Sequence, residues 1–300
     1  MKVCVAVHPP HLSRGIHRVA HALTRYAPPS VHVVPTWDEA DHVLLHVVGW
    51  EDVERCVDTL RDAGRTVSIF QYCLLTTSQR NLQEWWRVWA KCQVVVSYYD
   101  LAYLCSFRSL DLDYPGTVNF LHTPLGVDTT VFKPCGCGKQ FVVGTSGTVA
   151  GSECLNEWAE VASSSPLGHF HLGPAEAFAP EYRPRVTAQT GMGDVELAKR
   201  WSRCVYVSGL RRGEGFELPA YEGLACGARP VMFNRVDARG WLGSAAEYIE
   251  EGSDGAVIDQ LRALLTRPAR PVTAEERAWA AATFRWETLA RKWWAAVGVA

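Results

Sequence analysis

Short, continuous apolar segments separated by amphipathic ones run through this sequence and constrain its fold more than any other feature. Segments 1–7, 40–48 and 67–72 are apolar along almost their whole length, as expected for strands buried on both faces of a parallel sheet. Between them, apolar residues recur at helical spacing, for example in segment 51–62. Strands that alternate with helices predict an open, parallel α/β sheet.

The same alternation begins again after the glycine- and cysteine-rich residues 135–139. We predict strands at 140–144, 169–172, 204–207 and 229–233, and helices at 152–163, 194–203 and 218–225. A chain of 300 residues is long enough for two domains of about 150 residues each.

We therefore predict an α/β protein with two Rossmann-like domains. The first spans 1–134, residues 135–139 form a linker, and the second spans 140–278. The helical, aromatic tail 279–300 is longer than the second sheet needs, and we expect it to cross back onto the first domain. Because ligands of open α/β sheets bind at the carboxyl ends of the strands, we expect the domains to face each other across a cleft.

Composition excludes several classes of protein. With 30 basic and 32 acidic residues the formal net charge is −2, so the overall basic excess of many nucleic-acid-binding proteins is absent, although a local basic groove stays possible. No segment approaches the roughly 20 apolar residues of a membrane span, and the apolar run near the amino terminus is too short for a signal peptide. We expect a cytoplasmic protein whose ten cysteines are thiols.

Twelve tryptophans are many for a chain of this size. Several lie at helical spacing, as in Trp85, Trp86 and Trp89, or side by side, as in Trp293 and Trp294. We expect them to fill the cores of the domains and the surface between domains rather than to stack on sugars.

The most informative stretch is GEGFELPAYEGLACGARPV, residues 213–231. It predicts a glycine-bearing loop, a helix with Pro219 in its first turn, and Gly227 at the end of that helix before the next strand. The amino terminus of a helix carries unsatisfied N–H groups and partial positive charge, which suit a diphosphate. Glu222, inside the helix, could accept two hydrogen bonds from the hydroxyls of a ribose.

In its spacing and surroundings, the pair Glu214 and Glu222 resembles the signature of retaining GT-B glycosyltransferases of family 4. The segment TPLGVDTTVFKP, residues 123–134, resembles the junction between the two domains in that family. The resemblance covers the second domain well and the first only loosely. It implies the GT-B fold and transfer of a hexose from a nucleotide sugar, here expected to be a UDP-sugar, to a hydroxyl group.

The resemblance also implies roles for individual residues. Glu222 would bind the donor ribose, and Glu214 would lie beside the transferred sugar. The remaining donor-binding candidates are glycines and backbone amides near the strand ends: Gly15, Gly144, Ser146, Gly147, Gly215, Phe216, Glu217 and Leu218.

The sequence departs from the family pattern in two places. The family carries an arginine and a lysine after the first strand of the second domain, but residues 144–153 contain no basic side chain. We expect Arg211 and Arg212 to neutralise the leaving diphosphate instead, because charge that develops in the transition state needs a partner. In the first domain, His46 is the nearest match to the histidine that contacts the transferred sugar in the family.

A retaining enzyme of this kind is expected to work without a metal or a cofactor, by attack of the acceptor hydroxyl on the same face that the diphosphate leaves. The nucleotide sugar is then the co-substrate, and the acceptor could be a small molecule, a glycan or modified DNA. One alternative is a phage-type enzyme that glycosylates hydroxymethylated bases, since the helix at 79–91 carries Arg80, Arg87 and Lys91 among tryptophans. A protein that binds nucleotide sugars without catalysis is an alternative of another class.

Overall fold

In a computed structural model, the chain is described over residues 1–8, 14–48, 52–72, 79–99, 118–212 and 216–298. It divides into two compact units. The first unit comprises Met1–Gly126 together with Trp286–Ala300, and the second comprises Val127–Arg285. The first boundary lies inside the junction segment 123–134, and the second lies beyond the sequence-based limit of 278.

Within its described residues, the first unit has a six-stranded parallel sheet of order β2-β1-β3-β4-β5-β6. The strands are β1 Lys2–His8, β2 His32–Val33, β3 His42–Val47, β4 Thr66–Gln71, β5 Val95–Ser97 and β6 Phe120–His122. The first three helices are α1 Arg14–Arg25, α2 Val53–Asp62 and α3 Gln79–Trp89, and a 3-10 turn spans Trp37–Glu39.

The second unit, over its own described residues, also has a six-stranded parallel sheet, of order β12-β11-β10-β7-β8-β9. Its strands are β7 Phe141–Ser146, β8 Gly168–Leu172, β9 Val186–Gln189, β10 Cys204–Gly209, β11 Arg229–Phe233 and β12 Glu247–Ile249. Its helices are α4 Ala150–Glu153, α5 Leu155–Ala162, α6 Asp194–Ser202, α7 Leu218–Ala225, α8 Val236–Leu242, α9 Asp254–Thr266 and α10 Ala274–Thr283. Three 3-10 turns span Ala175–Ala177, Arg183–Arg185 and Gly243–Ala245.

The last described helix, α11 (Trp286–Ala296), is part of the first unit. Trp293 stacks on Phe70 of β4 with ring centroids 4.4 Å apart, and the indole Nε1 of Trp294 donates to the carbonyl of Leu23, 3.3 Å away. Both tryptophans are fully buried, as are Trp85 and Trp89 in the first unit and Trp158 and Trp201 in the second. The packing role predicted for the tryptophans is confirmed for these six.

Residues 135–139, predicted to be a linker, are bonded into the second unit. The Lys139 ammonium donates to the carbonyls of Ser202, Cys204 and Gly227, at distances of 2.7 to 3.0 Å. The backbone N–H of Cys135 donates to the hydroxyl of Ser202. This segment therefore closes the carboxyl-terminal ends of α6 and α7 rather than spanning open space.

The two-sheet α/β architecture predicted from the sequence is confirmed. The predicted single helix 152–163 is instead α4 and α5, separated by Cys154 in the left-handed region with φ 51°. The helical tail is likewise two helices, α10 and α11. The sequence analysis missed β9, α8, β12 and α9, whose apolar patterns are short or weak.

Each sheet has one place where the connections leave in opposite directions, called a switch point. In the first sheet it lies between β1 and β3, and in the second between β7 and β10. In open α/β sheets, ligands bind outside the carboxyl ends of the strands at such a point. None of the described helices has the length and hydrophobicity that a membrane crossing requires.

Candidate functional site

The switch point of the second sheet brings two of the predicted segments together. Gly147 directly follows β7, and residues 210–212 directly follow β10, the neighbouring strand. Helix α7 begins shortly afterwards with Leu218 and Pro219. A helix leaves its first N–H groups without intrahelical partners and carries partial positive charge there, so this edge suits an anion.

A buried carboxylate, Glu153, lies directly beneath the loop that follows β7. Its Oε2 accepts a hydrogen bond from the backbone N–H of Val149 at 2.7 Å. A Cβ on Gly147 would overlap this carboxylate, and Gly147 has φ 126°, which side chains rarely adopt. Gly147 is therefore required by both space and backbone conformation, and Glu153 fixes the shape of the loop.

The side chain of Arg211 lies beside this loop. Its Nη2 is 3.4 Å from Oε1 of Glu153, and its Nη1 is 3.7 Å from Oε1 of Glu217. The side chain of Arg211 is 40% exposed, whereas the side chain of Glu153 is only 6% exposed. Arg211 thus holds a guanidinium at the switch point, between the loop after β7 and the start of α7.

Arg212, its neighbour, extends into the body of the second unit. Its Nε donates to the carbonyl of Gly151 and its Nη1 to the carbonyl of Gly252, while Nη2 pairs with Asp254 at 3.0 Å. Nη2 also lies 3.5 Å from the buried carboxylate of Glu157, whose pKa is raised by burial. Both arginines were predicted to neutralise the diphosphate. The side chain of Arg211 is the more exposed of the two, whereas Arg212 links α4, just after β7, to the start of α9.

Glu222 lies in the middle of α7 and is 2% exposed. Its Oε2 accepts a hydrogen bond from the indole Nε1 of Trp201 in α6, at 3.3 Å. This contact orients the carboxylate of Glu222.

The residues at the start of α7 contribute in different ways. Phe216 is buried and stacks on Tyr221, with ring centroids 3.8 Å apart and planes within 6°. Glu217 occupies the N-cap position, although its side chain makes no capping hydrogen bond there. Leu218 is the first helical residue and is partly exposed. The stacking of Phe216 on Tyr221 fixes the direction in which the chain enters the helix.

Gly144 and Ser146 were both predicted to bind the donor. Ser146 ends β7 and is partly exposed, as that role requires. Gly144 is inside the strand, and a Cβ there would come within 2.5 Å of the Trp201 ring and 2.9 Å of the Cys204 Sγ. The structure thus gives Gly144 a packing role, since it makes room for the tryptophan that holds Glu222.

Beneath the same loop lies a buried group that the sequence analysis did not connect with the site. The hydroxyl of Thr145 is 2.8 Å from Nε2 of His169 and 3.0 Å from Nδ1 of His171. Burial lowers the pKa of His169 to about 3 and that of His171 to about 4, so both rings are neutral. Alternation of the two histidines along β8 was the only available signal, and it equally fits ordinary packing.

In the first unit, Gly15 and His46 flank the other switch point. Gly15 is in the first turn of α1, and His46 is in β3 opposite Val7 of β1. His46 is fully buried, its Nδ1 lies 2.9 Å from the Tyr72 hydroxyl, and its ring stacks on Phe70. Burial, with a smaller contribution from His17, lowers the pKa of His46 to about 3. A contact of His46 with a sugar remains a prediction.

Helix α3 carries the residues on which the DNA alternative depends. Trp85 and Trp89 are buried in the core, and Lys91, just after the helix, pairs with Glu54 and Asp58 at 3.1 and 2.8 Å. Arg87 is exposed. The tryptophans and the lysine are therefore committed to contacts within the first unit.

Two predicted residues, Glu214 and Gly215, lie outside the described residues, as does the side chain of Arg80. Among the described residues, no group of three or more His, Cys, Asp or Glu side chains is arranged to hold a metal ion.

Comparison with solved structures identifies the fold. The protein is similar to HepE of Anabaena in complex with UDP-glucose, with a TM-score of 0.73, 12% identity and 99% coverage of each chain. It is similar to sucrose-phosphate synthase of Thermosynechococcus elongatus, with a TM-score of 0.72, 14% identity, and coverage of 98% of this chain and 97% of the other. The protein has the GT-B fold.

A third similar structure is AviGT4, a glycosyltransferase involved in avilamycin A biosynthesis, with a TM-score of 0.62 and 15% identity over 99% of this chain and 96% of that one. No family model matches the sequence, and no curated protein matches it. At these identities, the structural likeness establishes the fold alone.

Proposed function

We propose that this protein is a glycosyltransferase that moves a hexose from a UDP-sugar to a hydroxyl acceptor, with retention of configuration at the anomeric carbon. The observation that carries the proposal is the arrangement at the β7–β10 switch point, where Gly147, Arg211 and the start of α7 come together. Similar structures of the same fold contain UDP and UDP-glucose, which supports a uridine nucleotide as the donor.

The diphosphate of the donor would lie against the start of α7 and the loop after β7. There the helix terminus contributes N–H donors and partial positive charge. Arg211 contributes a full positive charge that its partner Glu153, buried beneath the loop, holds in place. We propose that Arg211 neutralises the diphosphate, the role that an arginine and a lysine after the first strand of the second domain have in the family that the sequence resembles.

The ribose would be bound by Glu222. Its carboxylate is oriented by Trp201, and a carboxylate is a suitable acceptor for the vicinal hydroxyls of a ribose. Gly144 supports this contact indirectly, because its lack of a side chain admits the Trp201 ring.

In the proposed reaction, the acceptor oxygen attacks the anomeric carbon on the face from which the diphosphate leaves. The bond between that carbon and the diphosphate oxygen breaks, and this oxygen takes the proton of the acceptor hydroxyl. Stabilisation of the charge that develops on the leaving oxygen is the largest contribution expected of the protein. We propose that Arg211 and the α7 terminus supply it, without a metal or further cofactor, and that Glu214 lies beside the transferred sugar.

The eight described cysteines are free thiols, which fits our proposal that the protein acts in a reducing compartment, the cytoplasm. We propose that the acceptor is a hydroxyl compound: a small molecule, a glycan or modified DNA.

A panel of UDP-, GDP- and ADP-sugars in a thermal-shift assay tests the donor, since a ligand that binds only the folded state raises Tm. We expect UDP-glucose or another UDP-hexose to raise Tm and the GDP- and ADP-sugars to have little effect. Release of UDP without added acceptor then separates an enzyme from a non-catalytic binding protein. Binding with no UDP release, either alone or with a panel of hydroxyl acceptors, would favour the binding protein.

A further inference from the structure

Two exposed thiols, Cys135 and Cys137, lie on either side of a single glycine in the second unit. Both are free, and they are closer in sequence than any other two of the ten cysteines. The backbone N–H of Cys135 donates to the Ser202 hydroxyl at 3.3 Å, and the ammonium of Lys139 donates to three carbonyls. The segment is thus held at both ends while its thiols face solvent. The proposed transfer reaction uses neither thiol.

The backbone brings these two thiols within reach of each other. Residues two apart in a chain have Cα atoms at most about 7.6 Å apart, and a disulfide requires about 4.4–6.8 Å. The chain bends at Gly136, whose φ of 71° lies in the left-handed region that favours glycine. The side chain of Cys137 folds back over this bend, so that its Sγ lies 3.8 Å from the carbonyl oxygen of Cys135. From this geometry a ring with one S–S bond can close.

The surroundings of Cys135 favour its thiolate. The pKa of this thiol is lowered, chiefly because the thiol of Cys137 donates a hydrogen bond to it, with smaller contributions from the backbone N–H of Cys137 and the charge of Arg203. Burial instead raises the pKa of three other thiols to about 12, namely Cys92, Cys154 and Cys226. Because the thiolate is the nucleophile in thiol chemistry, Cys135 is more reactive than these three.

We propose that Cys135 and Cys137 form a site of reversible oxidation by low-molecular-weight disulfides, in which Cys135 attacks and Cys137 closes an intrachain disulfide. The proposal does not depend on the proposed glycosyl transfer. In a reducing compartment such a disulfide is transient, as is typical of redox-sensing thiols.

The reaction has two exchange steps. The thiolate of Cys135 attacks one sulfur of the external disulfide, whose S–S bond breaks, and the first external thiol leaves with the proton that Cys135 gave up. The thiolate of Cys137 then attacks the Sγ of Cys135, and the second external thiol leaves with the proton of Cys137. The two cysteines lose two hydrogen atoms in all, and the external disulfide is reduced to two thiols.

Incubation of the fully reduced protein with glutathione disulfide, followed by acid quenching and peptide mapping by mass spectrometry, tests the proposal. We expect the peptide that contains Cys135 and Cys137 to lose two hydrogen atoms and to regain them on treatment with dithiothreitol. Oxidation of other cysteines while these two stay reduced would overturn the proposal, as would the absence of any modification.

Two variants assign the order of attack. Cys137→Ser keeps a donor beside Cys135 but cannot close the ring, so a mixed disulfide with one glutathione should accumulate at Cys135. Cys135→Ser should react about tenfold more slowly at Cys137, because the thiol whose anion the surroundings stabilise is gone. Equal rates in the two variants would show that Cys135 is not the attacking thiol.

A third variant tests the hydrogen bond between the thiols. Cys137→Ala removes the donor that Cys137→Ser keeps, so it should slow modification of Cys135 severalfold relative to the serine variant. Equal rates would exclude Cys137 as the donor. Cys56→Ser is the matched control, because this half-buried thiol in the first unit has a pKa raised by burial, and it should leave oxidation of the pair unchanged. If a variant does not fold, the peptide map of the wild type decides.

Discussion

The two units share one sheet architecture but differ in what holds the strand ends at their switch points. In the second unit, the carboxylates of Glu153 and Glu217 and the guanidinium of Arg211 form the contacts. In the first unit, a neutral histidine, a phenol and stacked rings do so, with His46 hydrogen-bonded to Tyr72 and stacked on Phe70. Similar backbones therefore carry ion pairs at one switch point and, among the described residues, a histidine–tyrosine hydrogen bond and stacked rings at the other.

This difference bears on which unit binds the donor and which binds the acceptor. A guanidinium already oriented by a buried carboxylate needs little rearrangement to meet a diphosphate, which favours the second unit as the donor-binding unit. The aromatic side chains described at the first switch point suit groups that carry hydroxyls and apolar faces. The predictions below alter one unit at a time, beginning with the largest expected effect.

Glu222→Gln should lower kcat/KM for the UDP-sugar by about 100-fold or more, because two charge-assisted hydrogen bonds to the ribose would be weakened. Steady-state kinetics at varied donor concentration measures this. Trp201→Phe removes the N–H that orients Glu222 together with part of a fully buried ring, so it should lower Tm but cost less than about tenfold in kcat/KM. Unchanged kinetics of Glu222→Gln would show that Glu222 does not bind the donor ribose.

The neighbouring arginines should separate catalysis from stability. Arg211→Gln should lower kcat by about 10- to 100-fold with little change in Tm, because the charge facing the leaving group is lost. Arg212→Gln should lower the free energy of unfolding by about 1–3 kcal/mol, because the carbonyls of Gly151 and Gly252 and the buried Glu157 lose a donor. Kinetics and urea unfolding on both variants test this, and the reverse pattern would assign the catalytic charge to Arg212.

Gly144→Ala should destabilise the second unit by about 1–3 kcal/mol, because the new methyl group would overlap Trp201. Gly151 has open space around its Cβ position, so Gly151→Ala is the matched control and should change stability by less than about 1 kcal/mol. Chemical denaturation gives both values. Unchanged stability of Gly144→Ala with weakened donor binding would restore the direct donor contact predicted from the sequence.

Acid should destabilise both units for the same reason, namely buried histidines that stay neutral in the folded state. Burial lowers the pKa of His42 and His171 to about 4 and that of His46 and His169 to about 3. The unfolded chain then binds protons that the folded chain does not, so stability is complete above the ordinary pKa of about 6.5 and falls as pH drops toward 4. We expect a loss of about 1 kcal/mol per histidine between pH 7 and pH 5.5.

Urea unfolding at these two pH values measures that loss. His171→Gln should reduce the pH dependence of the second unit alone, and His46→Gln that of the first. A pH dependence that neither variant changes would show that other groups are responsible.

The sequence predicted those parts of the molecule that local patterns determine. Local signals predicted β3 and β7 from their apolar runs, and α7 from Pro219 near its start and Gly227 near its end. The structure has these three elements where they were expected. The relation between Glu153 and Arg211 could not be predicted, because sheet order brings together residues far apart in the chain.

The same limit applies to glycines. Gly147 and Gly144 looked alike in the sequence, since both lie in one glycine-bearing turn. Their roles differ because one follows the strand above Glu153 and the other lies within it against Trp201. Only the packing of α6 on β7 and β10 separates the two cases.

The placement of α11 in the first unit has a consequence for how the protein is made. A ribosome synthesises all of Val127–Arg285 before it reaches Trp293 and Trp294, which pack against Phe70 and the carbonyl of Leu23. The second unit is one uninterrupted segment, whereas the core of the first unit lacks α11 until residues 286–296 have been made. In the nascent chain, the unit that begins first is therefore the last to be completed.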